Sequence, residues 1–222
     1  MNNIFNNQLK LSFIDKKSKD LNITKEITTF FVGLAENNLF TLKDILGYIK
    51  TKKTYINSSF HLELTFIENT ANINTDTNKF HIAIEKFKRL IVSMIDLFEV
   101  IYPLGTVVNL KTEYLNQLTN NNEIEEATFV ITSRYVYTDD VKTYFQYGGI
   151  PYPVGDLGLN KVFYFTSDLI REVLTLGYTD DREEAYIYMM KKELLLDGDY
   201  ISIGYAPKEE RKKLELKLRE IK

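Results

Sequence analysis

Few side chains in this sequence could do chemistry. His61 and His81 are the only imidazoles, and there is no cysteine. Two histidines make a zinc site when a third ligand falls at metal-binding spacing, as in H-E-x-x-H. His61 lies instead on the solvent side of an alternating run, and His81 opens an apolar helical repeat. No metal role is expected for either. A denser group is Asp180, Asp181, Glu183 and Glu184. Paired carboxylates can transfer protons or hold a divalent cation. They also suit the first turn of a helix, where the backbone dipole favours negative charge, and that is the simpler reading here. Asp197-Gly-Asp199 is too short for a calcium loop and reads as a turn. The chain carries no G-x-S-x-G elbow, phosphate loop or dinucleotide fingerprint. We expect no enzyme, no catalytic residue, no bound metal and no cofactor.

Arg134 and the tyrosines carry more weight. Arg134 interrupts an apolar run and needs a carboxylate, a loop carbonyl or a bound protein as its partner. Tyr135, Tyr137, Tyr144, Tyr147, Tyr152 and Tyr164 crowd into about thirty residues. Such aromatics either fill the thin core of a small sheet or present a docking patch, because tyrosine offers a large contact area with two rotatable bonds. The loop from Ile150 to Leu157 is the most exposed candidate, stiffened by Pro151 and Pro153. The candidate protein-binding residues are therefore Tyr135, Tyr147, Ile150, Tyr152, Val154 and Leu157.

The elements that must position these residues change character near residue 102. Of fourteen glycines and prolines only Gly33 and Gly47 precede Pro103, and thirteen of fifteen tyrosines lie at or after Tyr102. Glycine and proline mark turns, and tyrosine favours strands. Before that point, Gln8–Ile14 alternates as a strand would. Thr24–Asn37 has helical spacing, and Thr41-Leu-Lys-Asp44 resembles a capping box that starts a helix running to Lys50. Phe60, Leu62, Leu64 and Phe66 predict a half-buried strand. Residues 69–78 read as a polar loop. Phe80, Ile84, Phe87, Ile91, Met94, Ile95 and Phe98 predict one long amphipathic helix with a core-facing stripe.

After residue 102, strands are expected at 105–110, 128–137, 141–147, 162–165 and 200–204, with a hairpin at Asp139-Asp140. Leu115–Glu126 and Gly148–Gly158 read as loops. Ser167 is expected to cap a short helix ending at Gly177, and Asp180 to open another reaching about Leu195. Pro207 should begin a charged terminal helix with Leu214, Leu218 and Ile221 in line. The fold class that results is α+β. A mixed region, 1–101, precedes a small, mostly antiparallel β unit with helical C-terminal extensions, 102–222.

Charge is distributed unevenly. Residues 102–206 hold 16 acidic side chains against 8 basic ones. An acidic body repels phosphate backbones and attracts cationic partners, so no nucleic-acid partner is expected. The most apolar helical stretch is broken by six charged residues, so no membrane crossing is expected. The asparagine-rich start has no signal-peptide pattern.

The turn and strand residues after 102 resemble a bacterial family of domains of unknown function, DUF4176. The resemblance rests on Tyr102-Pro-Leu-Gly-Thr-Val-Val108, Phe129–Arg134, Phe145-Gln-Tyr147, Tyr152-Pro-Val-Gly155, Phe163–Phe165 and Gly177-Tyr178. It spans about residues 100–195. Gln146 stands where the family usually has aspartate, and Val154 where it usually has glutamate, so any chemistry needing those acids is lost here. Family members are commonly encoded beside LXG-type toxins of type VIIb secretion. The resemblance implies a non-enzymatic cytoplasmic protein whose partner is such a secreted toxin, as chaperone or targeting adaptor. An immunity protein that covers a cationic toxin site with its acidic body is the alternative.

Overall fold

A computed structural model describes residues 3–113, 115, 125–156 and 162–220. They form two compact units: residues 1–99 with 191–197, and residues 100–190 with 198–222. The fold is α+β, with mostly antiparallel sheets.

The first unit begins with three helices, α1 (Asn3–Leu21), α2 (Lys25–Asn37) and α3 (Leu39–Thr51). A meander follows, of β1 (Tyr55–Asn57), β2 (Leu62–Ile67), β3 (Thr70–Asn74) and β4 (Lys79–Ala83), paired antiparallel in that order. Helix α4 (Ile84–Phe98) then supplies the core. Phe87, Leu90, Ile91, Met94 and Ile95 are all buried, and Phe87 meets Phe31 of α2 edge-on at 5.2 Å. Chain segment 191–197 returns to this unit. Its π-helical stretch Lys192–Asp197 buries Leu194, Leu195 and Leu196.

Four expectations for this unit need correction. Gln8–Ile14 is helical: Leu9 and Phe13 are buried at i, i+4 spacing while Leu11 between them is 66% exposed. Alternation over three apolar residues cannot distinguish the two periods, and burial of i, i+4 decides for the helix. Helix α3 starts before Thr41. Asn38 is its cap, accepting from the Phe40 amide at 3.0 Å, and Thr41 is buried inside the first turn. Residues 69–78 contain strand β3, where Ala71 and Ile73 face inward between polar neighbours. Short asparagine-rich strands hide their alternation in a low apolar count. Lys79–Ala83 is strand β4, so helix α4 opens at Ile84 and His81 lies on an edge strand.

Lys191 is buried in this unit. Its ammonium donates to the Leu97 carbonyl oxygen at 2.6 Å and the Glu99 carbonyl oxygen at 2.8 Å. Burial pushes its pKa down to about 8, while the charges of Glu99 and Asp96 act in the opposite direction. Glu99 itself accepts from Lys43 at 2.9 Å.

The second unit is built on one sheet: β5 (Val107–Leu110), β6 (Thr128–Thr138), β7 (Val141–Pro151), β8 (Phe163–Phe165), β9 (Ile170–Thr175) and β10 (Ile201–Ser202). Their order is β10-β7-β6-β5-β9, with β8 also on β7. Among the described residues only β10 runs parallel to its neighbour. Helices α5 (Asp181–Lys191) and α6 (Lys208–Glu220) follow. Leu214 and Leu218 of α6 bury against Val141, Phe145 and Ile203. Ile221 and most of the expected 115–126 loop lie outside the described residues.

Two expectations fail here. Gly148–Pro151 is not loop but the end of β7. A Cβ on Gly148 would lie 2.3 Å from Ser133 Oγ, so glycine marks a close approach within the sheet rather than a turn. Ser167–Gly177 is not a helix. A single 3₁₀ turn, Ser167–Leu169, leads into β9, which pairs with β5. The β-branched Ile170, Val173 and Thr175 suit an extended strand.

Candidate docking surface

The aromatic residues singled out from the sequence divide by depth. Tyr147 is fully buried. Its hydroxyl donates to the Val100 carbonyl oxygen at 3.3 Å and accepts from the Tyr102 amide at 3.1 Å. Tyr135 is also buried, with φ +50° in the middle of β6, and packs against Tyr144 and Tyr186. Both belong to the interior, so neither offers a contact surface; a thin sheet core has taken them. Ile150 is half-buried. Tyr152 and Val154 are exposed, just beyond the end of β7. Leu157 lies outside the described residues.

Several polar residues of this unit hold its elements together. Arg134 Nη2 donates to Glu183 Oε2 at 3.0 Å, Nη1 pairs with Oε1, and the guanidinium lies 4.7 Å from the centre of the Tyr186 ring. Asp180 caps α5, accepting from the amides of Arg182 and Glu183 at 3.0 and 3.1 Å. The Arg182 guanidinium on its carboxylate holds Asp180 below the usual carboxylate range. Buried Gln146 accepts from the Ser167 amide at 2.7 Å and the Ser167 hydroxyl at 3.1 Å. The carboxamide there orders the turn before β9. Among the described residues no cluster of three or more His, Cys, Asp or Glu is placed to hold a metal ion. His61 sits 3.3 Å from Asp76, and His81 Nδ1 is 2.6 Å from Asn72 Oδ1, so the two rings have separate partners.

Sequence reasoning missed a second exposed group, at the other edge of the sheet. Between Val107↔Thr175 and Val108↔Val173 the β9 register slips, leaving Leu174 as an extra residue. Such a bulge re-aims a side chain, and Leu174 is exposed. Leu176 and Tyr178 follow at the same two-residue spacing, 63% and 78% exposed. Leu104 joins them, because Gly177 packs onto its backbone: a Cβ on Gly177 would come within 2.0 Å of the Leu104 carbonyl oxygen. The Gly177 amide also donates to Thr106 Oγ1 at 3.0 Å. The Gly-Tyr pair and the Pro-Leu-Gly turn, far apart in sequence, are thus one structural contact. Reading 167–177 as a helix hid the i, i+2, i+4 pattern that would have found it.

No helix among the described residues is long and apolar enough to cross a membrane. No curated protein and no solved structure matches the chain. The turn, strand and cap residues just described fall almost entirely within one matched segment: residues 101–186 match the model of the family described as Domain of unknown function (DUF4176).

Proposed function

We propose that this protein is a non-enzymatic accessory protein that binds another polypeptide. The observation that carries the reading is four exposed apolar side chains: Leu174 on the edge strand β9, Leu176 and Tyr178 just beyond its end, and Leu104 in the turn against which Gly177 packs. Large apolar side chains on a rigid backbone lose little freedom on binding, and an exposed cluster of them marks an interaction surface. The resemblance to a family encoded beside LXG-type toxins supplies the partner class. The protein acts in the cytoplasm as chaperone or targeting adaptor for such a type VIIb secreted toxin. The acidic balance of residues 102–206 favours a second reading, an immunity protein that covers a cationic toxin surface.

Co-expression with an LXG toxin from the same locus, followed by affinity capture, tests both. Capture through a non-catalytic region of the toxin with toxicity retained supports the adaptor. Neutralised toxicity supports immunity. Leu176→Asp with Tyr178→Asp is expected to abolish capture while leaving the melting temperature unchanged. If no toxin is captured, both readings fail.

A further inference from the structure

Strand β4 ends the first sheet, and among the described residues it pairs only with β3. The hairpin fixes which of its backbone groups remain free. The Thr75 amide donates to the Asn78 carbonyl oxygen and the Ile84 amide to the Asn69 carbonyl oxygen, both at 2.9 Å. Bonded pairs recur at every second residue of an antiparallel ladder. With Ile73 opposite Phe80 and Ala71 opposite Ile82, residues 80, 82 and 84 bond toward β3. Lys79 and His81 therefore direct their N–H and C=O groups away from the sheet, and Ala83 directs its N–H the same way.

Those groups face a cleft of about 550 Å³. All five residues of β4 line it. A cleft over one face of a strand would touch alternate residues, so this one runs along the edge. The opposite wall is the turn between α1 and α2, with Ile23 and Ile27. Phe80 and Ile82 add apolar surface, Lys79 and Lys86 add positive charge, His81 lies between, and no acidic residue lines the cleft. An unpaired edge beside an apolar wall is the geometry of strand addition, in which main-chain bonds give affinity and alternate side chains give specificity.

We propose that the β4 edge is a docking site for an extended acidic segment of a partner polypeptide, which adds to the first sheet as a further strand. Charge selects this occupant. A second copy would bring two more lysines to an edge whose cleft holds no acidic side chain to pair with them. Glutamate or aspartate at alternate positions pairs with the lysines, and the intervening apolar side chains meet the half-buried Ile23 and Phe80. The site lies outside the segment matched to the family and does not depend on the partner proposed above being a toxin.

The test uses the full chain and a fluorescein-labelled peptide of alternating valine and glutamate, read by fluorescence anisotropy at low and high salt. Saturable binding that weakens with salt is expected. Lys79→Glu with Lys86→Glu should weaken it at least about tenfold. His81→Pro removes an outward N–H and leaves the backbone bonds to β3 in place, losing only the side-chain contact to Asn72, and it should weaken binding while circular dichroism stays unchanged. Should that variant unfold, N-methylation of alternate peptide amides on the wild-type protein gives the same readout and should abolish binding. No saturable binding overturns the proposal. So does equal binding of a valine–lysine peptide, or binding indifferent to N-methylation.

Discussion

Arg134 and Lys191 are cations withdrawn from water, one in each unit, and they are held in opposite ways. Arg134 meets a carboxylate fork to fork and rests on a tyrosine face. Lys191 donates to two neutral carbonyl oxygens in the buried interior. A guanidinium stays protonated in any such site, so its environment must supply the counter-charge. An amine can shed its proton, and the depressed pKa of Lys191 records how strongly its site favours that. The second unit has therefore built a pair whose integrity depends on both members. The first has built a group whose charge depends on pH.

The most damaging test of the contrast is Glu183→Ala. It strands a nearly buried guanidinium, and loss of one partner of a buried pair costs about 3–5 kcal/mol. Glu183 keeps some contact with water, so about 3 kcal/mol is expected from urea unfolding of the second unit. The next test is pH. Lys191 titrates near 8 in the folded chain against 10.5 for a free lysine. Between those values the unfolded chain binds the proton that the folded chain has released, so stability rises with pH across that window. Below about 8 both states carry the proton and the full destabilisation remains. The gain between pH 8 and 10.5 is at most about 3 kcal/mol. It should appear in wild type and vanish in Lys191→Met; parallel profiles for the two proteins would contradict this account. The smallest effect is expected for Arg134→Lys. That substitution keeps the charge and loses the second hydrogen bond and the ring stacking, about 1–2 kcal/mol in the same urea assay.

The two units also differed in how much their residues disclosed. Helices α2 and α4 were legible because Ile27, Phe31 and Leu34, and Phe87, Ile91 and Met94, repeat at helical spacing over several turns. The β6–β7 hairpin was legible from long aromatic strands around Asp139-Asp140. Strand β3 was not, because Ala71 and Ile73 are too few against threonine and asparagine to reveal a period of two. Strand β9 was misread because the two register shifts at Leu174 and Arg171 break its alternation, so that its residues pass for a helical pattern. Burial of Tyr135 and Tyr147 was equally invisible: tyrosine suits a core and a surface, and only the neighbours decide. Among the site residues, Tyr152 and Val154 were placed on the surface by their prolines. Leu104 and Tyr178 needed the Gly177 contact, which joins residues seventy positions apart.

An α-helix spreads three consecutive side chains over about 200°, so it turns all of them inward only where it is packed on several sides, as α4 is at Leu90, Ile91 and Val92. Residues 192–197 wind more loosely, and three successive leucines reach the interior together. Removing a single codon there would tighten the coil and swing the middle leucine outward. Natural length differences among homologous genes should therefore cluster at this short span, as one-residue gaps accompanied by a polar replacement for the displaced leucine.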